Sequence, residues 1–556
     1  MPRFRAWLAL AAVTALAPTP SPSAEPTPSS TLVVATTAGA IRGHLEESAV
    51  AFEGVPYAAP PIGKLRWRPP APAVPWTAVR AADGFGPPCA QADLGWQSRV
   101  AAASSEDCLY LNVWTPVRRS GAGPLPVIVF FPGGAYHGGS ARGLSAIEPS
   151  YDGARLARRG AVVVTANYRL GVFGFLAHPE LTAESSEGVS GNYALLDAIA
   201  ALRWVRANIA AFGGDPTRVT AFGQSAGSAT VADLMTSPRA RGLFAGAILA
   251  SGTALDDMAG ERPTLAAAQV AGVAFARGLG APDSGAMDAL RARSAADLLG
   301  TMMANPALHG SEPRGGVVDG VFFPVQPRQV FADKAEAPIP IIVGSTARDG
   351  DVDSMGVSGT RKADAALADP KRPLAGRRPA APLSAAGARE VAAYYAADPA
   401  AAKAAKRLYG APGAARPVDG EAAVAFGTDH IFRCGASLTA QWHNGRAPAW
   451  RYEFSHGYEP LGAVHLWDML YVFGWLQAPA DQPRDATLRD QMQRYLVNFA
   501  ATGDPNGPGL PPWSRAADGA YLDFASDGAA PRHGLRQAAC ALYDQALVRR
   551  LGVARR

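Results

Sequence analysis

The chain has 556 residues, 48% hydrophobic and 18% charged, a composition that excludes a disordered or fibrous protein and leaves a folded one with a large core. Lys and Arg outnumber Asp and Glu by only five, 52 against 47, and two of those positives, Arg3 and Arg5, fall in a segment expected to be removed. So small an excess, with no basic block, excludes a nucleic-acid surface and a polybasic membrane patch.

In chain order, Arg3 and Arg5 followed by the apolar run Ala6 to Ala17 read as a signal peptide. Cleavage is placed between 17 and 24, since Ala15-x-Ala17 and Ala24 both qualify. The leader is thus 1–24 at its longest, and a Pro/Ser/Thr spacer, 25–30, precedes a single domain over 31–556. The apolar run is too short to span a bilayer, so a secreted or periplasmic chain with no membrane span is expected.

Thr31 to Thr36, Ala40 to His44 and Val50 to Val55 read as an antiparallel meander, followed by a Pro- and Trp-rich loop, Pro60 to Trp76. Leu125 to Phe131, Ala161 to Asn167, Val219 to Phe222, Phe244 to Ala250 and Ile339 to Val343 are dense apolar runs. Such runs suit strands buried on both faces. Helical patterns separate them, at Gly153 to Arg159, Asn192 to Ile209 and Ser225 to Met235. Strands alternating with helices predict an α/β protein with a mostly parallel, twisted, doubly wound sheet. Ala-rich stretches at about 255–310 and 360–430 are read as helical insertions capping the sheet's C-terminal edge. A strand over Ala449 to Phe454, a helix over Ala486 to Ala500 and a final strand and helix complete the chain.

Four cysteines, Cys89, Cys108, Cys434 and Cys540, suit two disulfides in an exported chain. Proximity favours Cys89–Cys108 and leaves Cys434–Cys540. No C-x-x-C or His-rich spacing supports a zinc site.

The chemistry centres on Gly223-Gln224-Ser225-Ala226-Gly227, between a β-prone run and a helical one, the context of a nucleophile elbow. A serine needs a base, and the base an orienting carboxylate, in the order Ser, Asp or Glu, His for an α/β-hydrolase. Asp349, just past the strand ending at Val343, is the candidate acid, with Asp351 and Asp353 as rivals. His465 is the candidate base, with His430, His443 and His456 as rivals. Pro132-Gly133-Gly134-Ala135-Tyr136 offers backbone donors for an oxyanion. No Lys-Ser/Thr follows, so a phosphate loop is excluded. Gly134, Ala135 and Ala226 are the candidate donors.

These residues resemble the type-B carboxylesterase family, the carboxylesterase/cholinesterase group of α/β-hydrolases, over roughly 31–550. The resemblance runs through Phe52-Glu53-Gly54-Val55-Pro56-Tyr57-Ala58 and Glu106-Asp107-Cys108-Leu109-Tyr110-Leu111-Asn112-Val113. It continues through Asn167-Tyr168-Arg169-Leu170-Gly171, the serine motif, Gly462-Ala463-Val464-His465 and Thr502-Gly503-Asp504-Pro505-Asn506. It implies hydrolysis of a small-molecule carboxylic ester through an acyl-serine, without metal or organic cofactor. It places the triad on Ser225, His465 and Asp349, and the family's disulfides on the two pairs above. Asp349 stands where most members carry Glu, Pro132 where His or Tyr is usual, and Gln224 where Glu is commoner. Trp96, in the Cys89–Cys108 loop, invites comparison with the cholinesterases' ammonium-binding Trp. Two other readings share the motifs: a catalytically inactive binding or adhesion relative, and a specialised esterase for a carbamate, lactone or natural-product ester.

Overall fold

The computed structural model describes residues 32–117, 123–143, 151–256, 260–351, 374–376, 380, 382–459, 461–474 and 483–552. The expected leader and spacer lie outside them, as do Asp353 and part of the second insertion.

Among the described residues, fourteen strands form two sheets. β1 (Val33–Ala35), β2 (Ala40–Arg42) and β5 (Arg80–Ala81) make a small one. The other has eleven strands in the order β14-β13-β12-β11-β10-β9-β7-β8-β6-β4-β3. Its antiparallel end is β3 (His44–Glu46), β4 (Ala49–Pro56) and β6 (Tyr110–Pro116). Then come β7 (Leu125–Phe131), β8 (Val162–Ala166), β9 (Gly214–Gln224), β10 (Gly246–Ala250), β11 (Ile341–Thr346), β12 (Ala449–Phe454) and β13 (Ala520–Ala525). These seven run parallel, and β14 (Gly528–His533) turns back on β13.

Both faces of the sheet are dry, which is why its central strands are apolar without alternation. Val127, Val129 and Phe131 of β7 enter one core, and Ile128 and Phe130 enter the other. Four helices matter to the site: α1 (Tyr193–Asn208), α2 (Ala226–Thr236), α3 (Cys434–His443) and α4 (Gln537–Leu551). All four contribute to the Val127 face. Disulfides join Cys89 to Cys108 and Cys434 to Cys540, the second tying α3 to α4.

The expected N-terminal meander is corrected: β1 and β2 leave for the small sheet, and only β3 and β4 join the large one. The chain pivots at Gly43, where a Cβ would meet the Ala51 carbonyl oxygen at 2.3 Å. The first insertion forms four helices, Leu265–Gly278, Ala286–Arg291, Ala295–Met303 and Pro306–Gly310. Their Phe275, Leu290, Leu298 and Met302 pack in one cluster with Trp67, Val172, Phe173, Leu176 and Tyr193 of the body. The described part of the second packs Val391, Tyr395, Tyr409 and Phe426 against Ala539 and Leu542 of α4.

Candidate active site

Ser225 stands between β9 and α2 at φ 56°, ψ −126°, a backbone conformation that persists only where its surroundings enforce it. Close approaches enforce it here. A Cβ on Gly223 would meet the Gly227 carbonyl oxygen at 2.2 Å, and one on Gly227 the Phe131 carbonyl oxygen at 2.0 Å. The turn therefore folds onto itself and onto the end of β7, and only glycine fits either side. The Ser225 N–H donates to the Ala250 carbonyl at 2.8 Å, fixing the elbow to β10.

The glycine loop after β7 lies against this serine. A Cβ on Gly133 would come within 2.8 Å of the Ser225 Cβ. Gly134 (φ 125°), Ala135 (φ 53°) and Tyr136 (φ 63°) hold successive positive dihedrals. The N–H groups of His137 and Gly138 both donate to the Gly134 carbonyl at 3.0 Å, closing the turn. Among the described residues, the N–H groups of Gly134, Ala135 and Ala226 donate to no protein acceptor. A buried pair steadies the loop from behind: His137 Nδ1 lies 2.5 Å from Glu312 Oε2, and Glu312 Oε1 accepts from the Val172 N–H at 3.1 Å. Trp96 is half-buried beside the same turn, 3.0 Å from where a Gly138 Cβ would stand.

Asp349 and His465 are brought together by their neighbours. Arg348 and Val464 form a parallel bridge, with the Arg348 N–H donating to the Ala463 carbonyl at 2.8 Å. The next residue on each side then pairs: His465 Nδ1 to Asp349 Oδ1, 2.6 Å. The other Asp349 oxygen accepts from the Thr346 N–H at 3.0 Å, so the fully buried carboxylate has partners at both atoms. The Nδ1 pairing leaves Nε2 as the acceptor of a neutral imidazole. The Gln224 amide nitrogen lies 3.2 Å from it, which sets the ring beside the residue preceding Ser225. Phe432 stacks on the other side, ring centroids 4.7 Å apart and planes at 25°. It comes from a π-helical turn, Asp429–Arg433, the kind of irregularity that recurs at functional sites.

The rival histidines are engaged elsewhere. His430 Nδ1 meets the Phe426 carbonyl at 2.7 Å, His443 pairs with Glu336 at 2.7 Å, and His456 with Asp485 at 2.7 Å. Asp351 donates its N–H to the Arg348 carbonyl at 3.1 Å beyond the turn. The contacts of Gln224, Phe432 and Glu312 had no signal in the sequence beyond the note that Gln224 departs from the family pattern. Asp468, three residues past His465, is a further one. Burial pushes its carboxyl up to about 6; the Tyr452 hydroxyl bonded to it at 2.8 Å opposes the shift, and the Asp349 charge adds to it.

A profile of the carboxylesterase family matches residues 30–543. Para-nitrobenzyl esterase of Bacillus subtilis (strain 168) is 34% identical over 497 residues, 85% of this chain and 90% of that one. The liver carboxylesterase of Sus scrofa is 33% identical over 91% of each. Fumonisin B1 esterase of Sphingopyxis macrogoltabida is 42% identical over 351 residues, 62% of this chain and 60% of that enzyme's length. Among solved structures, a PNB esterase superposes with a TM-score of 0.72 at 29% identity, over 92% of this chain and 99% of its own.

Proposed function

The chain belongs to the carboxylesterase family and is a carboxylic ester hydrolase, and we propose that it works through an acyl-serine at Ser225. In this reading His465 Nε2 takes the Ser225 proton as Oγ attacks the ester carbonyl, and returns it to the departing alkoxide. Water then repeats the sequence on the acyl-enzyme. Asp349 fixes the tautomer and stabilises the imidazolium. The N–H groups of Gly134, Ala135 and Ala226 receive the oxyanion, each donor worth about 3 kcal/mol. The observation that carries the reading is the 2.6 Å Asp349–His465 pair, whose imidazole faces the residue before the strained serine. Asp in place of the commoner Glu is accommodated, since the shorter arm already closes on Nδ1.

The test is Ser225→Ala: over a thousandfold loss of kcat/KM on a p-nitrophenyl ester, with an unchanged far-ultraviolet spectrum. Turnover retained by that variant sinks the reading. Acyl preference is read from a panel of esters of rising acyl length with a choline ester among them. Fumonisin B1 belongs in that panel, because the relative named for it is 42% identical over the matched segment. Export is part of the proposal, supported by two disulfides, which persist in oxidising compartments.

A further inference from the structure

The glycine turn after β7 holds two residues with side chains at positive φ, Ala135 at 53° and Tyr136 at 63°. Such conformations persist only where the surroundings impose them. The turn's own bonds converge on one atom, the Gly134 carbonyl oxygen, and Gln91 grips it only farther on, at Gly139 (2.9 and 3.0 Å). What holds Tyr136 and His137 comes from elsewhere in the chain.

The Gly171 N–H donates to the Tyr136 carbonyl at 2.7 Å, and the next N–H, of Val172, donates to Glu312 Oε1 at 3.1 Å. Glu312 Oε2 lies 2.5 Å from His137 Nδ1. Tyr136 and His137 are therefore tied to Gly171 and Val172 in a closed ring, and one carboxylate completes it. The carboxylate fits because position 171 has no side chain: a Cβ there would meet Glu312 Oε1 at 2.0 Å. His137 and Glu312 are both buried. Arg314 Nη1 lies 2.9 Å from His137 Nε2. A guanidinium has only donors, so Nε2 accepts and the ring proton sits on Nδ1, facing Glu312. Each Glu312 oxygen thus accepts one N–H. Glu312 itself enters from the first insertion, its N–H donating to the His309 carbonyl at 3.2 Å just past the helix Pro306–Gly310.

We propose that Glu312 is a positioning residue for ester hydrolysis. Through His137 and Val172 it fixes the backbone from Ala135 to His137, and so the direction of the Gly134 and Ala135 N–H groups. The inference rests on the acyl-serine reading above. Both carboxylate oxygens are engaged by N–H groups, so Glu312 acts on where the donors stand and moves no proton. A donor stabilises an oxyanion only where the charge develops, so a small displacement is costly. The first insertion thereby contributes to the rate as well as to the covering of the sheet.

The experiment compares Glu312→Gln with the wild type on a p-nitrophenyl ester and on a trifluoromethyl ketone, whose adduct with a serine carries the same oxyanion. Glutamine keeps the size but has one acceptor oxygen, so one of the two N–H groups loses its partner. kcat is expected to fall about 10–100-fold with KM within about threefold, and the ketone's inhibition constant to rise by about the same factor as kcat falls. His137→Leu is expected to match that loss. His137→Asn, whose amide N–H stands near the Nδ1 position, is expected to lose far less. In Glu312→Gln/His137→Leu the two losses are expected not to add, as for residues that act as a unit. Melting temperature and far-ultraviolet spectrum are followed throughout, and the two His137 variants decide the matter if Glu312→Gln does not fold. An unchanged kcat in folded Glu312→Gln overturns the proposal. So does a loss confined to KM, an unmoved ketone affinity, or His137→Asn no better than His137→Leu. Ser225→Ala is run alongside: if it keeps turnover, both readings fall, and if it is inactive while Glu312→Gln is not impaired, only this one does.

Discussion

Gln224 is the side chain through which the elbow touches His465, the proposed base. An amide there donates to His465 Nε2 without adding charge, whereas Gln224→Glu would set a carboxylate about 3.2 Å away. A nearby anion favours the protonated imidazole, and a protonated imidazole is no base. The acidic limb of the kcat/KM–pH profile is therefore expected to move up by about 0.5–1 unit; a limb that stays put means the two groups do not couple. Asp349→Asn tests the other nitrogen. The amide keeps the size but can force the wrong tautomer, and a fall in kcat of about 10³–10⁴ is expected with KM little changed. At this scale the sequence was informative where chemistry leaves a local pattern. Ser225 lies in its own motif, and Asp349 and His465 follow strand and block signals. Glu312 and Phe432 reach the site from 175 and 33 residues away in the chain, and no local pattern records such contacts.

Elements were legible according to how they are buried. The strands dry on both faces, β7 to β11, stand out as apolar runs. β6, Tyr-Leu-Asn-Val-Trp-Thr-Pro, has Asn112 bonded to the Gly54 N–H and to Thr165. Its polar positions hide it among loops, so the sequence marks it only as a motif. The helix expected over Gly153 to Arg159 is a single turn, Ala154–Ala157, held by burial of Leu156 more than by its length. β9 runs Gly214–Gln224, well beyond the apolar Val219 to Phe222, because pairing with β7 at Gly214 carries a polar approach into the sheet. The Cys434–Cys540 bond joins α3 to α4 across 106 positions. Cys434→Ser with Cys540→Ser is expected to cost about 2–5 kcal/mol, read as a lower urea midpoint with the ester rate at 25 °C retained. An unchanged midpoint shows that the packing of the two helices suffices alone.

For the molecule as a whole, buried carboxyls set the response to pH, four of them with large upward shifts. Burial raises Glu53 and Asp523 to about 7, and Asp233 and Asp468 to about 6, from ordinary values of 4.5 for Glu and 3.8 for Asp. Between those limits the folded chain holds more protons than the unfolded one. Stability contributed by these groups is complete below about pH 4 and is lost as pH rises through 6 to 7. Asp152 and Asp197, also raised by burial, act in the same direction, and His178, lowered by burial, opposes them. The urea midpoint is thus expected to be higher at pH 5 than at pH 8, and Asp468→Asn to narrow that difference. A midpoint that climbs from pH 5 to pH 8 contradicts the assignment.

The helical insertions do not close on themselves: Phe275, Leu290 and Met302 share a cluster with Trp67, Phe173 and Tyr193 of the body, and Tyr409 and Phe426 share one with Ala539 and Leu542 of α4. A segment rooted in its host in this way is inherited together with its socket. Chimaeras that graft the first insertion alone from a distant relative should thus melt below the parent, and those that bring the residues at 67, 173 and 193 with it should melt near it.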